Sequence, residues 1–221
     1  IYNEVDEQQT YNNFSNLRTY RSVDIYYRVL NERDEDGNVL MDCLMQLNPL
    51  KSQSLKADFE LSLSSSDLIG FSPGIHYGHR NLFKGAELFS LDFRGVFQYS
   101  LPGSNKSQSS FEYNIASSIT VPKFLATIQI SYFKKQIPHT KFAASYTYQK
   151  RPNYTRSVGA LSVGYLWNTS TRLSYIFNPI DFNMVKMLKL EPNFINSIRN
   201  PYLKNSYLDH FILGMTGSLI Y

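Results

Sequence analysis

Polar and apolar residues alternate with period two along most of this chain, which puts successive side chains on opposite faces of a sheet. From Leu55 to Ser64, the residues Leu55, Ala57, Phe59, Leu61 and Leu63 oppose Lys56, Asp58, Glu60, Ser62 and Ser64. Glu87 to Ser100 sets Phe89, Leu91, Phe93, Phe97 and Tyr99 against Ser90, Asp92, Arg94, Gln98 and Ser100. Phe111, Tyr113, Ile115 and Ile119 alternate with Ser110, Glu112, Asn114, Ser118 and Thr120. Further strands are predicted around Phe142–Tyr148, Leu161–Trp167 and Phe211–Tyr221. Phe71 to Arg80 alternates more weakly, with Pro73 near its start, where a missing N–H is tolerated. Arg172 to Lys186 changes phase after Pro179, which predicts a bulge or a change of environment there. Phe124 to Phe133 alternates too and reads as either an extra hairpin arm or an edge piece.

No apolar run approaches the roughly 18 residues of a spanning helix, so helical membrane spans are excluded. One cysteine, Cys43, excludes a disulfide scaffold. A net charge of +4, from 22 Lys+Arg and 18 Asp+Glu, is too mild to argue for nucleic acid. Alternation alone does not separate a soluble β-domain from a membrane barrel. Strand length does more, because several segments reach the about 9–11 residues a tilted transmembrane strand needs. The 17 Tyr, 15 Phe and single Trp sort largely onto one face and toward strand ends, like the aromatic girdles of outer-membrane barrels. The fold class read from these features is mainly β, an antiparallel transmembrane barrel.

The first fifty residues differ. Thr10 to Tyr20 reads as a short helix, with Tyr11, Phe14 and Leu17 at helical spacing. Val23 to Val29 and Met41 to Leu47 read as two strands joined by a polar loop, Asn31–Asn38, with Asp36-Gly37 as its turn. Two units follow, residues 1–50 as a small α+β module and 51–221 as the barrel portion. The chain opens at Ile1 with no basic or apolar leader, as expected of one processed or cut from something longer.

Little points to catalysis. His76 and His79 fall on opposite faces of a strand, poor geometry for one metal. Their reading is a polar wall residue and an interfacial one. Asp58 and Glu60 share a face with Lys56 beside them, as in a solvated wall. Cys43 reads as buried packing. Lys134-Lys135 and Lys150-Arg151 read as a solvated rim or as contacts to phosphate headgroups. Nucleotide loops, nucleophile elbows and zinc-helix motifs are absent. The expectation is a non-enzyme without metal or cofactor.

Several short phrases, in order along the chain, resemble the BamA/TamA family of outer-membrane assembly proteins, in particular its Bacteroidetes, TamL-like branch. They are Asp42-Cys43, Pro49 with Gln53-Ser54, and His79-Arg80-Asn81-Leu82-Phe83-Lys84-Gly85-Ala86-Glu87. Tyr148 to Arg156, Asn178 to Asn183 and Asp209-His210-Phe211-Ile212 complete the set. The resemblance implies the C-terminal part of a POTRA module over 1–50, then the N-terminal half of a barrel of about sixteen strands. About eight strands would be present, with connections alternating between two sides. Ser65–Gly70, Leu101–Ser109, Arg151–Arg156 and Leu188–Asp209 would lie on one side, and the tight turns Asn81–Gly85 and Asn168–Thr171 on the other. Val121–Thr140 is long for that second side and reads as an extra β element. The family's inward loop motif has no counterpart here, since Arg94-Gly95 is followed by Val96 within a strand.

The resemblance further implies assistance of outer-membrane protein insertion in the bacterial outer membrane. Leu55, Ala57, Phe59, Leu61 and Leu63 would form a gate edge whose backbone pairs a client strand by β-augmentation. Lys56, Asp58, Glu60, Asp92, Arg94 and Glu112 would face the lumen. The implied partners are outer-membrane lipid, nascent outer-membrane proteins and accessory lipoproteins, with no nucleic acid. The alternatives are a secretion pore, a membrane anchor for another domain, and a soluble β-rich binding domain.

Overall fold

The computed structural model describes residues 2–33, 37–63, 68–100, 109–125, 137–170 and 173–221. Helix α1 (Glu4–Asn16) precedes a hairpin of β1 (Tyr20–Arg33) and β2 (Val39–Pro49). Eight strands follow: β3 (Gln53–Leu63), β4 (Leu68–Arg80), β5 (Leu88–Ser100), β6 (Ser109–Val121), β7 (His139–Lys150), β8 (Tyr154–Ser170), β9 (Leu173–Leu190) and β10 (His210–Ile220). Two short helices, α2 (Pro192–Ser197) and α3 (Pro201–Asn205), stand between β9 and β10. The eight form one antiparallel sheet in chain order, each strand bonded to its sequence neighbours, with β3 and β10 as its two open edges.

The predicted helix begins earlier than Thr10 because the N-cap lies at Asn3, whose side chain accepts from Val5 N–H at 3.0 Å. Glu4, Asp6 and Glu7 then sit where the helix dipole favours acids. Arg18, at φ 55°, ends the turn, so Tyr20 opens β1 and does not close the helix. The hairpin is longer than predicted, since β1 runs to Arg33 and takes in residues read as loop; Asp36 lies outside the described residues.

Three connections are shorter than the sequence suggests. Leu68–Gly70 belongs to β4, and Tyr154–Arg156 to β8, whose turn is closed by Arg151 N–H on Tyr154 C=O at 2.8 Å. Strand β9 continues to Leu190, and the rest of Leu188–Asp209 is not plain loop, because Pro192 and Pro201 each start a helical turn. Ser109 is in β6, Val121 ends it, and His139 and Thr140 open β7. Residues 101–108 and 126–136, with Ser64, Thr171 and Lys134-Lys135, are outside the described residues. Most of Phe124–Phe133 and of the extra β element therefore falls there too. Asn168 is within β8 and not in a turn.

The phase change at Pro179 is a register shift shared by both neighbours. On the β8 side Val163 pairs Ile180 while Tyr165 pairs Phe177; on the β10 side Gly214 pairs Asp181 while Thr216 pairs Asn178. One extra residue in β9 lets Phe177 and Ile180 both point to the apolar face.

No second layer of described residues packs against either face of the sheet. Among the described residues the buried hydrophobic core is Val23 alone, in the hairpin. Leu55, Leu63 and Phe211 are each more than 70% exposed. The chain exposes 16072 Å², against roughly 10,400 Å² for a compact monomer of this mass. Cys43, expected to be buried, is exposed: α1 lies over this face of the hairpin, with Tyr2 against Tyr27, but leaves an open pocket beside Cys43.

Candidate functional site

Two features distinguish the eight-stranded sheet: the free edge of β3 and the contrast between its faces. Across the register, Leu55, Tyr77, Leu91, Ser117, Ala144, Leu161, Phe182 and Leu213 align in one row, apolar except at Ser117. Ala57, Ile75, Phe93, Ile115 and Tyr146 align in the next. Nearer the β3–β4 connection the rings form a continuous chain. Phe59 meets Phe71 at 4.6 Å, Phe71 meets Phe97 at 5.9 Å and Phe97 meets Phe111 at 5.1 Å. Toward the other end, Trp167 stacks on Tyr175 at 5.3 Å. Each pair adds about 0.5–1.5 kcal/mol beyond area burial, yet the outer side of these rings is open.

The backbone polarity of β3 follows from Pro73. The β4–β5 ladder pairs Phe71 with Phe97 and Gly74 with Arg94 but skips Ser72 and Pro73. That gap arises where Pro73 lacks the N–H it would give β5, so odd-numbered residues of β4 bond toward β5 and even-numbered ones toward β3. Arg80 N–H donating to Ser52 C=O at 2.7 Å fits this alternation. In β3, therefore, Lys56, Asp58 and Glu60 bond to β4 through their backbones. Leu55, Ala57, Phe59, Leu61 and Leu63 aim N–H and C=O out of the sheet at the open edge. Five vacant backbone positions in a row form a template for one more strand.

The other face is polar, and its charges converge in two groups. Asp58, Asp92, Arg94 and Glu60 meet around His76: its Nε2 lies 2.5 Å from Asp58 Oδ1 and its Nδ1 2.6 Å from Asp92 Oδ1. Arg94 reaches Asp58 at 3.3 Å and Glu60 at 4.0 Å. Gly74 makes room for this, since a Cβ there would stand 2.7 Å from both Asp58 carboxylate oxygens. Glu112 joins a second group: it accepts from Gln149 Nε2 at 2.6 Å and lies 4.0 Å from Arg151. Arg151, read in the sequence as a rim residue, instead donates inward to Gln98 Oε1 at 2.8 Å and Ser110 Oγ at 3.2 Å. Arg156 donates to Gln149 Oε1 at 2.8 Å. Lys56 is the register partner of His76. Sequence spacing exposes neither group, because the partners lie on different strands.

The turn Asn81–Glu87 carries its own chemistry. Asn81, Lys84 and Ala86 all adopt positive φ. Glu87 holds them by accepting from Phe83 N–H at 3.0 Å and Gly85 N–H at 3.1 Å, while Asn81 Oδ1 accepts from Ala86 N–H at 2.9 Å. Burial pushes the Glu87 pKa up, but backbone N–H donors, its own included, and Lys123 outweigh that and hold it below the ordinary value. The folded pKa thus lies under the unfolded one. The stabilisation is complete above the unfolded carboxylate range and is lost as pH falls through the folded value. The Phe83 and Gly85 amide proton shifts should titrate together at a pH below the ordinary carboxylate range, and stay flat in Glu87→Gln.

Among the described residues, no group of three or more His, Cys, Asp or Glu is placed to hold a metal ion, and no helix is long and apolar enough to cross a membrane. The arrangement offers backbone pairing at one edge, one apolar face and one ion-paired polar face. No family model, curated protein or solved structure matches the chain.

Proposed function

We propose that residues 51–221 are the N-terminal half of an outer-membrane β-barrel of the BamA/TamA type, carried by the end of a POTRA-like module over residues 1–50. In this reading the chain helps nascent outer-membrane proteins insert, and it does so without an enzymatic step. The observation that carries the reading is the eight-stranded sheet itself, apolar and exposed on one face, polar on the other, with β3 open along its length.

Strand lengths of 11 to 18 residues suit tilted crossing of a bilayer. Hydrocarbon would cover the face whose burial water would otherwise demand, each large side chain contributing about 1.5–3 kcal/mol. Backbone groups at an open edge are costly in lipid, so β3 favours any strand that pairs with it. Pairing through N–H and C=O is indifferent to client side chains, as a general insertion factor requires. In a closed barrel, further strands would meet β10.

Fractionation and gel migration test the membrane part. The chain is expected in the outer-membrane fraction, soluble only in detergent, and running differently on gels before and after heating. A stable monomer recovered from buffer alone would refute it. Site-specific crosslinking from β3 to a stalled client barrel tests the insertion part. Conductance without client crosslinks would favour a passive pore instead.

A further inference from the structure

We infer that His76, held as an imidazolium between Asp58 and Asp92, is a pH-dependent fastening that ties the edge strand β3 across β4 to β5. The inference deepens the edge-strand reading of function, but its test reads β3 itself, so the two can fail separately.

The argument is one of donors and acceptors. Neutral imidazole has one N–H and one lone pair; only the protonated ring donates from both nitrogens. His76 has a carboxylate oxygen at hydrogen-bond distance from each nitrogen, 2.5 Å to Asp58 on β3 and 2.6 Å to Asp92 on β5. Carboxylates accept only, so both contacts exist together only with the ring charged. On losing the proton, the ring turns a lone pair toward one carboxylate, and that contact opens. The result is a cross-strand bond spanning three strands that is present at low pH and lost as pH rises.

Every charged group facing His76 bears on this balance. From β3 come Lys56, Asp58 and Glu60, and from β5 Asp92 and Arg94. Strand β4 itself adds only Arg80 on this face, at the strand end, donating to Lys51 C=O. Three acids against Lys56 and Arg94 leave room for one more positive charge, which His76 supplies. Arg94 also touches Asp58, so the fastening weakens on deprotonation and is not abolished. For its backbone bonds Asp58 depends on β4 alone, since β3 is the sheet edge.

The test is residue-resolved amide protection of β3 against β7 in detergent, from about pH 6 to pH 9, on either side of the ordinary imidazole range. In the wild type, protection of the inward amides Lys56, Asp58 and Glu60 should fall about three- to tenfold more than that of β7, a range reduced for the partial exposure of the pair. His76→Gln should remove that pH dependence. Asp92→Asn should also remove it while keeping protection at the high-pH side. An Asn amide can donate to the lone pair of neutral imidazole, leaving Nε2–H for Asp58. Ring nitrogen shifts should report an imidazolium at the low-pH side in the wild type. No excess pH dependence in β3, or the same fall in His76→Gln or Asp92→Asn as in the wild type, would overturn the inference.

Discussion

Proline at Phe59 or Leu61 is expected to abolish client assembly in a complementation assay while leaving β3 attached to β4. Both residues direct their backbone N–H out of the sheet, so the substitution removes a donor that the β3–β4 ladder does not use. An incoming strand would lose a bond worth about 0.5–1.5 kcal/mol in water, and more where no water replaces it. The pyrrolidine ring also stands where the next strand must lie. The expected drop in client crosslinking is at least about tenfold. Phe59→Ala keeps the N–H and removes the ring against Phe71, so it separates backbone pairing from side-chain packing. Asp58→Pro and Glu60→Pro act on the opposite side, deleting donors to β4, and should loosen β3 even without a client. Normal assembly by Phe59→Pro or Leu61→Pro would rule out β3 as the pairing edge.

The second large effect is expected at Ile115→Arg. Ile115 sits midway along β6, on the apolar face between Phe93 and Tyr146, and is 43% exposed. On a soluble sheet such a change falls within about 0.5 kcal/mol of neutral. In a bilayer it puts a guanidinium near the midplane, at a cost of about 2–4 kcal/mol. Ala116→Arg, one residue on, faces the polar side among Asp92 and Ser145 and should be tolerated. Folded yield in lipid vesicles separates these outcomes. Equal yields for Ile115→Arg and Ala116→Arg would deny that the apolar face meets lipid.

The strands were legible because each face declares itself locally. In β5, Phe89 to Tyr99 and Ser90 to Ser100 separate onto the faces their alternation predicts, and Pro179 marks its own bulge. What alternation cannot reveal is register, since sliding one strand past another changes every cross-strand partner without altering any single strand. His76 illustrates this: within its strand the nearest chemistry is His79 on the other face, while its partners are Asp58 and Asp92, many residues away. Asp58 and Glu60 read as a solvated wall beside Lys56, and their shared partner Arg94 lies two strands away. Arg151 looked like a rim residue because its acceptors, Gln98 and Ser110, belong to other strands. Cys43 failed for another reason: burial depends on how far a covering layer reaches, and α1 stops short of it. The helix start at Asn3 was missed because apolar spacing locates a helix's face, whereas its cap lies outside that face.

Because spatial order equals chain order across β3 to β10, each strand depends for its ladder only on the strands made just before and just after it. Such a sheet resembles a linear array, in which stability is close to a sum over adjacent units. Hairpins can thus be added to or removed from the β10 end in pairs, widening or narrowing the sheet without rewiring any existing pairing. The β3 end has no such freedom, because the polypeptide leads there directly into the α1–β1–β2 module. Growth is therefore one-sided, and the width of the sheet is adjustable while the terminus that presents the open backbone stays constant.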